Sequence, residues 1–567
     1  MNSPRFQRVV TGLFATTVLA SSVAAAQLSV ERVAATNKTL QHVKASIAKL
    51  SPRQRKMLDG YANIEHLANA WQTYGMRLAD PSFVTRARLA HHPMPRSLPQ
   101  SGGVVRVSDP TVDLVYSSMA GFTQSETSTA RCGNTVVVGF NDSGSVFETP
   151  FYFTGTGGQS FSGSAYSANG GASFTDIGPV NPGPGLGNFL GGDPVINCAD
   201  ASTFFYSQIF DYTDASGNPW AAIALNTSTD GGKSWGDPVA AIAKSNFYHL
   251  LDKPWSTVDP SNHKNIYVSY TDFDFTYSSA ACGATFRTAI EFVESQDGGV
   301  TWSTTPTVAI EVCGNAGVQG SQMAVSSKGT MYISWVNLGS NFPFGPRVIQ
   351  IESYSGGTLS AATTVEPSVQ PGGDSYYLQG EFRDFLDMAM AIDHSGTKTD
   401  GTLYVTWADG RDKIVPDPAA TQGAYAYDDI LLRSSADGKT WSNPVKVNSD
   451  FQARLASGHD HYQSGVAVDN RGYVGICWYD RRTDPENFEV RRHCGESTNG
   501  FNFTDADVGM APFSGLHSTD VFINPIYMGD YDQMTSDFLN GNSGFIGAFQ
   551  SQEGIRGNPD AVAYKLP

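Results

Sequence analysis

The sequence predicts an all-β fold over residues 108–567, a β-propeller with seven blades favoured and six as the alternative, behind a short N-terminal α-helical segment. Three observations carry this reading. Short runs rich in Val, Ile, Tyr, Phe and Trp alternate with Gly, Asn, Asp, Ser and Pro clusters; one turn motif recurs at near-constant spacing; and one strand pattern recurs seven times. The chain has 567 residues, of which 16% are charged and 11% aromatic. So low a charge with so many aromatic side chains excludes a disordered polyanion and supplies a large core.

The turn reads Ser228-Thr-Asp230-Gly-Gly232-Lys-Ser234-Trp235 and again Ser295-Gln-Asp297-Gly-Gly299-Val-Thr301-Trp302. A copy one residue shorter is Ser435-Ala-Asp437-Gly438-Lys-Thr440-Trp441, and looser copies start at Ser167-Ala-Asn169-Gly and Ser497-Thr-Asn499-Gly. Asp or Asn oxygens accept backbone N–H groups across such a turn, glycine supplies positive φ, the hydroxyls bond back, and the aromatic anchors the turn to its sheet. The starts at 167, 228, 295, 435 and 497 leave one interval about twice the others, so one unit has lost its motif, and Ser355-Gly-Gly-Thr358 occupies the expected place.

Each unit also has a strand that ends in an aromatic or apolar residue ahead of a polar loop: 136–140, 204–209, 266–270, 331–335, 403–407, 473–478 and 544–549. Seven four-stranded units make seven blades. The last unit stops at its third strand, 561–566, so its outer strand is expected from Val112 to Tyr116, closing the ring. In a four-stranded antiparallel blade the first-to-second and third-to-fourth turns share one face, while the second-to-third loops and the links between blades share the other. The repeated motif lies in third-to-fourth turns, so chemistry is expected on the opposite face.

Residues 1–26 read as a secretory signal peptide, with Arg5 and Arg8, an apolar stretch from Val9 to Ala20, and small residues ending at Ala26. Residues 27–107 read as a helical pro-segment or cap plus linker, because Leu40, Val43, Ile47 and Leu50, then Met57, Tyr61, Ile64, Leu67 and Trp71, recur at helical spacing. The net charge of -17 divides unevenly: residues 28–106 hold 12 Lys and Arg against 4 Asp and Glu, so the body beyond them is strongly acidic. An acidic body opposes nucleic-acid binding, and no later apolar run is long enough to span a membrane. A secreted, extracellular or periplasmic monomer is expected. Export makes the six cysteines readable as disulfides: Cys477 with Cys494 from adjacent strands, Cys282 with Cys313, and Cys132 with Cys198 by elimination.

The repeated turns resemble the Asp-box, or BNR, turns of the sialidase-like superfamily over roughly residues 110–567, with Asn169, Asp230, Asp297, Asp437 and Asn499 at the acidic position. The resemblance implies a carbohydrate-active enzyme, a glycoside hydrolase acting on an acidic glycan. Sialidases hold a substrate carboxylate with arginines and use a Tyr activated by Glu, with an Asp as acid. Arg383, Arg411 and Arg482 suit the first part, since a guanidinium makes two parallel charged hydrogen bonds to a carboxylate. Glu381 with Tyr527 is the expected nucleophile pair, Tyr531 being its alternative and otherwise a substrate contact, and Asp480 or Asp252 is the acid. The Phe/Tyr-Arg-Ile/Leu-Pro signature of true sialidases does not occur. The interblade links bring Asp193, His249 and Asp530 to the same face. His459-Asp460-His461-Tyr462 points to a second chemistry, a polysaccharide lyase in which His461 is the base and an arginine neutralises a uronate carboxylate. A propeller that binds glycan or protein without catalysis is the third reading. A mouth rich in carboxylates suits Ca2+, but no sequential calcium loop occurs and no cofactor is expected.

Overall fold

The computed structural model describes residues 103–566 except 110–122, 146–148, 150–156, 315, 341–344, 375–376, 380–381, 385–387, 419, 421, 456, 515–527, 538–541 and 552–558. The signal peptide and the helical segment read from the sequence lie outside the described residues. Among the described residues seven blade sheets follow one another along the chain, antiparallel except where Gln159–Ser160 pairs parallel with the start of Phe189–Cys198, and a two-stranded sheet, Tyr377–Leu378 with Phe382–Arg383, stands apart from them. Their inner strands, Gln124–Cys132, Phe189–Cys198, His249–Val258, Gly317–Val325, Met388–Ile392, His461–Val468 and Met534–Thr535, open blades 1 to 7. Within a blade the strands pair in sequence order from the axis outward; blade 3 runs His249–Val258, Ile266–Asp274, Arg287–Ser295, Thr307–Cys313.

Blade 7 closes the ring with a strand from the other end of the chain. Met534–Thr535, Phe545–Ser551 and Asp560–Leu566 are followed outward by Val104–Arg106, with Val104 opposite Tyr564 and Arg106 opposite Val562. This corrects the expectation of a closing strand at Val112 to Tyr116, a stretch outside the described residues. The earlier segment is held by burial: Val104 packs with Val562 and Tyr564, and Val107 with Ala548, Ala561 and Ala563.

Adjacent blades are joined by apolar side chains and by the repeated turns. Trp335, Trp407 and Trp478 sit at matching places on the second strands of blades 4, 5 and 6, each fully buried against a neighbouring blade. In blade 2 the Ser228 hydroxyl donates to Asp230 Oδ1 (2.8 Å) and accepts from Gly232 N (2.9 Å), while Asp230 accepts from Lys233 N, Ser234 N and the Ser234 hydroxyl. Trp235 then donates its indole N–H to Ser164 in blade 1. The same bonding repeats around Asn169, Asp297, Asp437 and Asn499. The second glycine of the turn lies flat on the preceding blade: a Cβ at Gly232 would stand 2.4 Å from Val137 Cγ2, and one at Gly171 would stand 2.3 Å from Ile546 Cδ1 across the ring closure. In blade 4, which lacks the motif, Gly356 and Gly357 make a two-residue hairpin with Ser355 opposite Thr358.

All three expected disulfides are present. Cys132–Cys198 ties the ends of the inner strands of blades 1 and 2, Cys282–Cys313 holds the second-to-third loop of blade 3 to its outer strand, and Cys477–Cys494 bridges directly opposed residues in blade 6.

The packing of the turns sets a stability test. Gly231 and Gly232 both have positive φ (78° and 80°), but a Cβ at Gly231 would meet nothing nearer than 3.4 Å. Gly232→Ala, which overlaps a stiff β-branched side chain, should therefore cost about 1–3 kcal/mol more than Gly231→Ala in denaturant melts. Equal losses would contradict the close approach of blades 1 and 2.

Candidate functional site in the axial tunnel

Register breaks at an equivalent place along the inner strand of five blades: between Ser125 and Ser128, Gly192 and Val195, Asp252 and Trp255, Gln319 and Gln322, and Tyr462 and Gly465, with a further shift nearer the strand start in blades 2 and 4. At each break one residue takes positive φ: Glu126 (52°), Asp193 (56°), Lys253 (49°), Gly320 (69°) and Gln463 (51°). A bulge re-aims the side chain at its apex, and the left-handed conformation costs a non-glycine residue roughly 1–2 kcal/mol. Four non-glycine residues bearing that cost at equivalent places mark the tunnel as the site to read.

Three of those apex side chains meet one another. Lys253 Nζ lies 3.1 Å from Glu126 Oε1, 3.2 Å from Asp193 Oδ2 and 2.7 Å from Asp530 Oδ2. Four blades thus supply one ammonium and three carboxyl groups, and no two of those oxygens are farther apart than twice the longest of these distances. Glu126 also accepts from Asp530 N (2.9 Å) and Asn141 Nδ2 (3.0 Å), and Asn141 Oδ1 accepts from Asp193 N (2.8 Å). Lys253 Nζ lies over the Tyr531 ring at 5.6 Å, and the Tyr531 hydroxyl donates to Pro194 O. Burial, the Glu126 charge and a hydrogen bond with Glu126 hold the Asp193 carboxyl well above the usual carboxylate range, against the pull of Lys253. A cavity of about 100 Å3 adjoins the cluster, lined among others by Lys253, Trp255, Gln322, Gln463, Asp530 and Tyr531.

The other sequence-predicted residues fall elsewhere. Glu381 and Tyr527 lie outside the described residues, and Arg383 belongs to a short strand, Phe382–Arg383, whose side chains are not described. Arg411 and Arg482 end two copies of one brace, Trp407-Ala-Asp409-Gly-Arg411 and Trp478-Tyr-Asp480-Arg-Arg482. In each, the indole N–H donates to the aspartate (3.0 and 2.8 Å) and the arginine grips the same carboxylate. Arg411 further meets Glu366 at 3.2 Å, and Arg482 meets Asp505 at 2.8 Å. Both guanidiniums are thus engaged by this chain's own carboxylates. Asp480 and His461 are buried and, like Glu126 and Asp193, are not among the residues that line the axial cavity. Burial opposes a charge on the His461 ring, but Asp480 and the bond to Asp450 Oδ1 (3.0 Å) push it up to about 9, so it holds its proton at neutral pH. Asp252 accepts from Gln319 Nε2 (2.7 Å) beside the cluster.

Of the residues that sequence reasoning put on the face opposite the repeated turns, Asp193, Asp530 and Tyr531 meet Lys253 in the structure, and Glu126, Lys253 and Gln463 were not among those singled out. One signal was available: Asp193-Pro194 and Lys253-Pro254 stand at the same place in consecutive units. His249, Asp272 and Asp274 form a compact group of metal-ligand type. Asp272, however, already meets Lys244 (2.9 Å), Arg287 (3.0 Å) and His249 (2.9 Å), so its charge is met without an ion. No helix among the described residues is long and apolar enough to cross a membrane.

No protein-family model matches the chain, and a search of curated proteins finds no match. Among solved structures it is similar to the α-L-arabinofuranosidase of Fusarium graminearum in complex with arabinobiose, at 12% identity over 65% of this chain and 91% of that one, TM-score 0.39. It is also similar to an ulvan lyase of polysaccharide lyase family PL25, at 10% identity over 68% and 79%, TM-score 0.39. A third is the intramolecular trans-sialidase from Ruminococcus gnavus, at 11% identity over 66% and 93%, TM-score 0.36. Likenesses this distant carry no argument about the reaction.

The cluster makes its own stability prediction. Lys253→Met leaves buried carboxylates without their cation and should cost about 3–5 kcal/mol at neutral pH. Those carboxylates then bind protons more tightly folded than unfolded, so the variant should regain stability as pH falls toward the ordinary carboxylate range. Thermal melts across pH check this; a variant as stable as the wild type at neutral pH would contradict the ion-pair geometry.

Proposed function

We propose that this protein is a secreted carbohydrate-active enzyme, a glycoside hydrolase whose chemistry is carried by the tunnel carboxyl groups. The observation that carries the reading is the convergence of Glu126, Asp193 and Asp530 on Lys253, with burial and the Glu126 charge holding the Asp193 carboxyl well above the usual carboxylate range. Glycosidic cleavage needs one carboxyl group that keeps its proton and one that has lost it. Asp193 answers to the first, as proton donor to the leaving oxygen. Asp530, at 2.7 Å from the ammonium, answers to the second, and Lys253 stabilises its charge. The span between these oxygens is below the roughly 6.5 Å at which inverting pairs begin, which favours a double displacement with retention. Three disulfides fit an oxidising compartment and support export.

The expectation of an acidic glycan rested on three arginines, and two of them are taken up by Asp409 and Asp480. Elimination by His461 is disfavoured because an imidazolium cannot accept a proton. A noncatalytic propeller is the second reading, favoured by one observation: Glu126 is wholly buried, as a purely structural clasp would be.

A screen of aryl glycosides and polysaccharides, followed by reducing-end release and by absorbance of unsaturated uronates, separates these readings. Hydrolysis without new absorbance is expected. Asp193→Asn should lower kcat by about 10²–10⁴-fold with little change in melting temperature. New absorbance would indicate elimination, and an unchanged kcat in Asp193→Asn would move the active centre elsewhere.

A further inference from the structure

The face that carries the second-to-third loops also presents a terrace of aromatic side chains over blades 2 and 3. At the top of blade 2, Phe210, Tyr212 and Trp220 form a parallel stack, with centroids 5.3 and 6.4 Å apart and planes inclined by 17° and 15°. The link to blade 3 adds Phe247 and Tyr248, 72% and 54% exposed, and the blade 3 loop adds Tyr277, 51% exposed. This is an ordered surface. Asn246 N donates to Pro219 O, Phe275 N donates to Tyr248 O, and the Trp220 indole N–H donates to Asp214. Tyr277 adopts a φ of 51°, a conformation that a bulky side chain rarely takes. Large aromatic surface left in water at the end of two well-packed blades marks a binding site.

The chemistry around the rings selects the occupant. Asp211, Asp214, Asn218 and Asn246 stand at the ring edges, where their side chains bond to one another: Asn246 Nδ2 donates to Asp211 (3.0 Å) and Asn218 Nδ2 to Asp214 (3.1 Å). Backbone and side-chain N–H groups of Asn218, together with the Trp220 indole, hold the Asp214 carboxyl down at about 2, so it is an anion at any physiological pH. The nearby cations Lys244 and Arg287 are turned into Asp272 and Glu291. An anionic polymer or an anionic lipid surface would meet carboxylates here and no such cation. Sugars fit both parts: their C–H faces stack on aromatic rings, and their hydroxyls bond to carboxylate and amide groups.

We infer that the terrace formed by Tyr212, Trp220, Phe247, Tyr248 and Tyr277 binds a neutral polysaccharide chain. The inference rests on the carbohydrate reading above, but its test needs no turnover. The probe is electrophoretic retardation in gels containing arabinan, xylan or galactomannan, with polygalacturonate as the acidic counterpart. At least one neutral polymer should retard the protein, and Phe247→Ala/Tyr248→Ala should bind it about tenfold more weakly with an unchanged melting temperature. Phe501→Ala, which removes an exposed ring from a turn on the opposite face, should keep the retardation. The inference is overturned if no neutral polymer retards the protein, if polygalacturonate alone does, or if the double variant binds like the wild type. Terrace-dependent retardation in a protein that cleaves no glycan would uphold this inference and sink the hydrolase reading alone.

Discussion

An ammonium and three carboxyl groups removed from water at the axis of the ring constrain everything around them. Stripping hydration from buried ions costs several kcal/mol each, and only close pairing offsets it. Lys253 obtains that pairing from Glu126, Asp193 and Asp530, which belong to blades 1, 2 and 7, while it stands in blade 3 itself. The geometry exists only if four inner strands keep one register and three of them accept a left-handed residue at the bulge. It also requires blade 7 to be in place, and blade 7 is completed by Val104–Arg106 from the other end of the chain. Ring closure and the cluster thus both depend on blade 7.

The two faces of the propeller divide the work. On one, the Ser-x-Asp or Ser-x-Asn turns and their glycines bind five of the blades to the one before, from Gly171 on Ile546 at the closure to Gly500 on Tyr404. On the other, the loops carry charge, and most of it is internally paired. The two Trp-x-Asp-x-Arg braces show this most plainly: a carboxylate that receives an indole N–H and a guanidinium has little left to offer a ligand. With Arg411 and Arg482 so engaged, the exposed aromatic rings of blades 2 and 3 become the more telling surface.

Much of the architecture was legible because it repeats. The turn motif and the second-strand pattern recur at blade spacing, so seven blades, the faces of the loops and even the unit without its motif could be read from residue order. Of the disulfides, Cys477–Cys494 followed from strand adjacency and Cys132–Cys198 from elimination. What was not legible depended on contacts between distant units. Val112 to Tyr116 looks as strand-like as Val104–Arg106, and only packing against Ala548, Val562 and Tyr564 decides between them. Lys253 carried no signal of its own because nothing local shows that three carboxyl groups from other blades surround it. Arg411 and Arg482 read as anion binders because the aspartate two residues earlier looked like a neighbour in the site rather than the arginine's own partner.

The proposed function stands on Asp193 keeping its proton at neutral pH while Asp530, across Lys253, has lost its own. Infrared difference spectroscopy of the carboxyl groups, wild type against Asp193→Asn with isotope-edited aspartate, reads this directly. The account predicts a protonated aspartate carbonyl band at neutral pH that disappears in the variant, with the carboxylate bands unchanged. A wild-type spectrum whose only difference from the variant is the loss of an ionised carboxylate would contradict it, and would leave the cluster as a structural clasp without an acid.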